Sequence, residues 1–456
     1  MSMHTSTISF RGGTGSVTGA NFLLDTGTDK ILVDCGLTQG ENFCSEENYG
    51  EFTYVPSEVR TLLVTHAHMD HIGRIPQLVR RGFTGEIYST EATKDLARAM
   101  FKDAVGILAG EARLCHKEPL YEAEDVEHAL TLWKTHEYGE VFSLADDVQC
   151  TFKDAGHILG SSLVFLERAG KRIVFSGDLG NSPDVLLKDT ESIEGAHYLV
   201  MESVYGDRAH EGRDMRRQVL RAAIEDSRQK GGVLLIPSFS LQRTQVLLSE
   251  INALIEDEGM QPIPIFLDSP LAIEVLDIYR RHSDLFNDEA RARIAGGDDL
   301  FDFPKLKLTR APEDSASIES AANPKVIIAG SGMSHGGRIR SHERRYLGDK
   351  NATVLFVGYQ TVGSLGRRIK DGAEKVKIDG DWVKVRARVS ELSGYSAHKD
   401  RDALISFVET AQATLKKVFV VMGEPKAALF LTQRLRDFLG VDATAPAKEN
   451  SVTIDW

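Results

Sequence analysis

Apolar residues fall into two textures along this chain. In residues 7–200 the apolar runs are short, strand-like and broken by turn residues. Ile8-Ser9-Phe10 begins a strand, and Gly12-Gly13-Thr14-Gly15 is a glycine turn. Asn21-Phe22-Leu23-Leu24 and Lys30-Ile31-Leu32-Val33 flank a turn at Gly27. Leu62-Leu63-Val64 reads as a buried strand, followed by Ile72, Ile75, Leu78 and Val79 at helical spacing. Residues 91–136 read as helical and heavily charged. Strands resume at Thr151-Phe152, Ser162–Phe165, Arg172–Phe175 and Tyr198–Met201.

From about residue 206, helical segments (214–228, 241–257, 272–281) alternate with apolar runs at Gly232–Ile236, Pro264–Leu267, Val326–Ala329 and Thr353–Val357. Strands buried on both faces need no polar alternation, so this texture predicts a parallel, doubly wound sheet. Asn287–Ser320 is charged and reads as irregular. The tail predicts a strand at Val383–Val389, helix 401–411, strand Val418–Val421 and helix 425–438.

Length and composition narrow this picture. A chain of 456 residues exceeds one compact core, so two domains are expected. No apolar run reaches the ~18 residues of a membrane helix. The start, Met1-Ser2-Met3-His4-Thr5, lacks a signal-peptide pattern. Cys35, Cys44, Cys115 and Cys150 are scattered with no C-x-x-C pair. That suits a reducing cytoplasm and speaks against a disulfide scaffold or a thiolate zinc site. A net charge of −13 runs against nucleic-acid binding, so local clusters decide. Three stand out: Arg213, Arg216, Arg217 and Arg221; Arg338, Arg340, Arg344 and Arg345; and Arg367, Arg368 and Lys370. Each is either a ligand contact or a solvated helix face.

The strongest chemical signal is His66-Ala67-His68-Met69-Asp70-His71, directly after the strand at 62–64. Imidazoles with a carboxylate suit a zinc-like divalent metal. His66 and His68 fall on one side of an extended segment, and Asp70 and His71 open a helix. One bend can thus offer two pairs of ligands to two adjacent ions. Asp34, Gly156-His157 and Gly177-Asp178 each place a further candidate just past a strand.

In this order, these elements resemble the metallo-β-lactamase superfamily, an αββα sandwich around a dinuclear metal site. Met201-Glu202-Ser203-Val204-Tyr205-Gly206-Asp207-Arg208 resembles the acidic motif that opens the β-CASP insert. Ile236–Arg243, Asp268–Ala272, Ser331-Gly332-Met333, Gly336-Gly337-Arg338 and Gly358-Tyr359-Gln360 continue the likeness, and Ser396-Ala397-His398 is similar to the second β-CASP motif. The resemblance implies a lactamase-like domain at 1–205 and 376–456, with a β-CASP domain, a parallel sheet flanked by helices, inserted at 206–375. It points to the bacterial and archaeal relatives of the eukaryotic pre-mRNA 3′-end cleavage endonuclease.

The resemblance also implies roles. His66, His68 and His157 would bind one zinc, Asp70 and His71 a second, and Asp178 both, with Asp34 orienting ligands. Another divalent metal is the alternative to zinc. A metal-bridging hydroxide would hydrolyse RNA phosphodiester bonds to a 5′-phosphate and a 3′-hydroxyl. Asp70 would share in that catalysis, and His398 would be the general acid, oriented by Glu202. Arg243, Ser331, Gly332, Gly337 and Arg338 are the candidate substrate contacts. His335 and His342 read as surface residues. One ligand departs from the pattern. Where the family has a histidine in His-Gly-Glu, this chain has Met422-Gly423-Glu424, so a weaker second metal site is expected.

RNA is therefore the expected partner, in the cytoplasm and away from membranes. Endonuclease or 5′-exonuclease action, and monomer or homodimer, are left open. Two other readings remain at this point. One is a non-catalytic RNA-binding subunit with a degenerate site at Met422. The other is a related hydrolase acting on DNA or small phosphodiesters.

Overall fold

A computed structural model describes residues 5–456 other than 41–42, 146, 211–214, 359 and 362. The expectations for Arg213 and Tyr359 lie outside the described residues. The chain divides into two compact units, Met1–Ala209 with His398–Trp456, and His210–Ala397.

The first unit holds two seven-stranded sheets. One orders Ser451–Asp455, Thr5–Gly12, Asn21–Asp25, Lys30–Val33, Val59–Leu63, Glu86–Ser89 and Trp133–Thr135. The other orders Ala443–Thr444, Lys417–Val420, Tyr198–Met201, Lys171–Phe175, Ser162–Arg168, Val148–Asp154 and Val141–Ala145. Strand periodicity explains how the layers stack. Val164, Leu166, Ile173, Phe175, Tyr198, Val200 and Phe419 face a core shared with Phe10, Phe22, Ile31 and Val33 of the first sheet. Their neighbours Leu163, Phe165, Val174, Leu199 and Val418 point the opposite way, against Leu404, Phe407, Leu431 and Leu435. Those leucines and Phe407 belong to helices Arg401–Glu409 and Pro425–Leu439. Helix Glu91–Leu114 packs by strand Trp133–Thr135 of the first sheet. The result is the expected αββα sandwich.

The second unit has a six-stranded sheet in the order Leu306–Leu308, Ile265–Asp268, Lys325–Ala329, Val233–Pro237, Thr353–Phe356 and Arg388–Glu391. Every pairing is parallel. Helix Arg243–Glu256 is buried along nearly its whole length. The hairpin Lys375–Ile378 and Asp381–Lys384 follows.

Several expectations change. The expected strand at Val383–Val389 is two strands in different sheets, one ending at Lys384 and one starting at Arg388. Because Arg388–Glu391 pairs with Thr353–Phe356, residues 376–397 group with the second unit, and the return to the first falls at His398. Asn287–Ser320 is ordered as helix Asp288–Ala295, strand Leu306–Leu308 and helix Pro312–Ser320. Its charges sit on exposed helix faces, which hid the pattern. Cys44 and Cys115 form a disulfide, while Cys35 and Cys150 are free and buried. Among the described residues, no helix is long and apolar enough to cross a membrane.

Candidate metal centre

The site forms where strands of common direction end together. Asp34 and His66 follow the parallel neighbours Lys30–Val33 and Val59–Leu63. Asp178, Glu202 and Met422 follow the parallel neighbours Lys171–Phe175, Tyr198–Met201 and Lys417–Val420. The Thr65 carbonyl accepts from the Ser162 backbone N–H at 2.8 Å, joining the two sheet edges.

Four ligand atoms converge first. His66 Nε2 lies 3.1 Å from His68 Nδ1, which is 3.3 Å from His157 Nε2. Asp178 Oδ2 lies 3.4 Å from His66 Nε2 and 3.6 Å from His157 Nε2. Donors held ~2.0–2.1 Å from a tetrahedral ion sit about 3.3 Å apart, so these four could hold one. Their electrostatics agree. Burial, then the neighbouring His66 and His398 respectively, pull His68 and His157 well below the usual histidine value, keeping them in the neutral form that ligates.

The other Asp178 oxygen faces a second position. His71 Nε2 lies 3.3 Å from Asp178 Oδ1, and neither atom has a hydrogen-bond partner among the described residues. Both are buried, so a cation between them would satisfy both. His71 Nδ1 meets Asp34 Oδ2 at 2.7 Å, and Asp34 also accepts from the Thr65 N–H and hydroxyl, each at 2.8 Å. Burial opposes charge on His71, but Asp178 and Asp34 outweigh it and push its pKa well up. The surroundings are thus strongly negative. Asp70 is adjacent, and burial raises its carboxyl pKa.

Met422 follows the strand Lys417–Val420, beside the candidate ligands. It is buried in the core between the sheets, and its N–H donates to the Gly13 carbonyl at 2.6 Å. Together with Asp34, Thr65, His71 and Glu202 it lines a cavity of about 10 Å³, roughly the room of one water.

Glu202 and His398 pair across 196 positions of sequence, with His398 Nδ1 at 3.1 Å from Glu202 Oε1. The buried Glu202 also accepts from the Leu179 N–H at 2.7 Å. Burial opposes the charged form of His398, but Glu202, then Asp178, raise its pKa to about 9. Two residues in this network escaped the sequence reading. One is Thr65; the other is Lys399, whose Nζ donates to the Gly180 carbonyl at 2.8 Å. Their one sequence signal is adjacency to His66 and His398.

In the second unit, Ser331, Gly332, Gly337 and Arg338 share one loop, closed by the Ser331 N–H donating to the Gly336 carbonyl at 3.2 Å. The Arg338 guanidinium donates to Asp268 Oδ1 at 2.7 Å and to the Thr309 carbonyl at 2.9 Å, contacts that account for it within the fold. Arg243 donates to the Val357 carbonyl. His335 is exposed, but His342 is buried and bonds Asp268 Oδ2 at 2.7 Å, which corrects its reading as a surface residue. The basic clusters are largely neutralised. Arg216 pairs with Glu250, Arg221 with Glu258, Arg340 with Asp379, Arg344 with Asp381, Arg345 with Glu319, Arg367 with Asp371 and Lys370 with Glu391.

Family models match in the order of the fold. Residues 23–204 match a metallo-β-lactamase superfamily domain, 244–369 a β-CASP domain and 382–446 a Zn-dependent metallo-hydrolase RNA specificity domain. Ribonuclease TTHA0252 of Thermus thermophilus is 36% identical over 93% of this chain and 94% of its own length. The chain belongs to the β-CASP family of the metallo-β-lactamase superfamily. As a member of this β-CASP family it is a metallo-β-lactamase-fold hydrolase. Transcription termination factor FttA of Methanosarcina mazei is 29% identical over 95% of this chain, which spans 69% of that protein. A crystal structure of a protein of unknown function from Enterococcus faecalis V583 shares the fold, with a TM-score of 0.58 at 11% identity and coverage of 99% and 100%.

Proposed function

We propose that this chain is a metal-dependent ribonuclease that hydrolyses RNA phosphodiester bonds, leaving a 5′-phosphate and a 3′-hydroxyl. The observation that carries the reading is the Asp178 carboxylate, with one oxygen toward His66 and His157 and the other toward His71. A relative named a ribonuclease at 36% identity supports RNA as the substrate class.

His66, His68, His157 and Asp178 would hold one zinc ion, and Asp70, His71 and Asp178 a second, more exchangeable one. The pair supplies Lewis acidity and a water nucleophile activated at neutral pH. Asp34 keeps the His71 Nε2 lone pair aimed at the centre by accepting a hydrogen bond from its Nδ1–H. His398, raised to about 9, holds a proton at neutral pH and gives it to the departing ribose oxygen. Glu202 fixes the imidazole orientation through Nδ1. Arg243 and the Ser331–Arg338 loop would then act by shaping the second unit around RNA.

Incubating 5′-labelled RNA with the wild type, Asp70→Ala and His398→Ala tests this. The wild type should yield 5′-phosphate ends, with each variant slower by at least about a hundredfold. Products ending in a 2′,3′-cyclic phosphate would exclude the proposed chemistry. Met422 favours one second reading, a non-catalytic RNA-binding subunit. Absence of cleavage by protein fully loaded with metal would select it.

A further inference from the structure

The hairpin Lys375–Ile378 and Asp381–Lys384 has two unlike faces. It turns on Asp379 and Gly380, both at positive φ (48° and 94°), as a tight two-residue connection requires. Val376 and Ile378 are fully buried in the second unit's core, with Val383 packed against it. The alternation of a strand sends Lys375, Lys377, Trp382 and Lys384 the other way, and all four are exposed. The register sets Lys375 opposite Lys384 and Lys377 opposite Trp382. That outer face therefore carries three ammonium groups and one indole, and no acid.

Folding does not account for this face. Like charges directly opposite one another cost stability. Trp382 is 60% exposed, with Lys375 Nζ 4.9 Å from its ring centroid. The hairpin's own acids are used elsewhere: Asp379 pairs with Arg340 at 2.7 Å, and Asp381 with Arg344. Among the described residues, no ion pair engages Lys375, Lys377 or Lys384. In a chain of net charge −13, this is a local positive patch built around an exposed aromatic ring.

We propose that this face binds single-stranded RNA through residues that take no part in the metal centre. Trp382 stacks on a base, and the three lysines follow the neighbouring phosphates. An exposed indole ringed by cations matches both chemical components of a nucleotide, since every base offers a π-face and every linkage a negative charge. The proposal rests on the ribonuclease reading and adds a second point of substrate contact to it.

Trp382 itself supplies the readout. Of the three tryptophans, Trp133 and Trp456 are 3% and 0% exposed, so acrylamide quenching of the holoenzyme reports Trp382. Binding of a short phosphorothioate oligouridine should shield that fluorescence, and Trp382→Ala should weaken the affinity about tenfold. Replacing Lys375, Lys377 and Lys384 together by glutamine should flatten the slope of log K against log salt by about 2. Turnover of a small phosphodiester such as bis(p-nitrophenyl) phosphate should be unchanged in all of these variants. Affinities within about twofold of wild type would overturn the proposal. So would a dimer, seen by sedimentation, that Trp382→Ala dissociates while RNA affinity holds. If the wild type binds RNA through this face but cleaves none, the ribonuclease reading fails and this one stands.

Discussion

Replacing Asp34 by asparagine should weaken one metal position and spare the other. A carboxylate can only accept hydrogen bonds, so the 2.7 Å contact to His71 fixes the imidazole proton on Nδ1. Nε2 is then free to face Asp178 Oδ1 at 3.3 Å. In Asp34→Asn the amide oxygen must stay on the Thr65 N–H, which donates to Oδ1 at 2.8 Å. The amide NH2 is left facing His71 Nδ1, which has to become an acceptor. The His71 proton moves to Nε2 and occupies the direction a cation needs. Losing an orienting partner of this kind costs about 10–100-fold in metal affinity, or about 1.4–2.7 kcal/mol. The fold should lose only about 1 kcal/mol, because the Thr65 N–H keeps its acceptor. Calorimetric titration of the demetallated protein with zinc separates the two positions. The first equivalent, proposed for His66, His68, His157 and Asp178, should bind as in the wild type, and the second should weaken. A second equivalent of unchanged affinity would refute the tautomer argument.

Three further outcomes are expected. Met422→His should tighten the second zinc equivalent, because Met422 and His71 line the same cavity, at the cost of a lower melting temperature from burying an imidazole in the core; an unchanged second affinity in the same titration would sink it. Glu343 is buried, accepts the Ser334 hydroxyl, and is pushed by burial up to about 8, from 4.5. Its folded state therefore keeps a proton that the unfolded chain releases, so its stabilising contribution is complete below 4.5 and is lost as pH rises through 8. Melting temperatures recorded from pH 5 to 9 should fall less in Glu343→Gln than in the wild type, and parallel curves would contradict this. Cys44 and Cys115 are separated by 71 residues, so reduction, or Cys44→Ser, should cost about 4 kcal/mol by the loop-entropy argument. Melting curves with and without reductant check it, and coincident curves would show that no such constraint operates.

The residues of the candidate metal centre stand out in the sequence because they are clustered or punctuated. The run at 66–71 brings ligands together by proximity alone, and Asp34, His157 and Asp178 each sit at the end of an apolar run. Parallel neighbours end at the same sheet edge, so such positions meet in space whatever their separation. Asn287–Ser320 failed as a prediction because charged, solvated helix faces carry almost no apolar period. His342 failed because its partner, Asp268, lies 74 positions away.

The sequence by itself determined most element types, the parallel sheet and which side chains can ligate a metal, since these follow from local periodicity and residue chemistry; the αββα class came with the family resemblance. Tertiary structure alone decided the pairings. Cys44 with Cys115, and His342 with Asp268, join segments that share no local pattern, while the Glu202–His398 pair, implied by the family resemblance, received its 3.1 Å contact from the fold. The hairpin face of Lys375, Lys377, Trp382 and Lys384 belongs with these. Its residue types are visible in the sequence, but only strand register and burial of the opposite face place them together, unpaired and toward solvent.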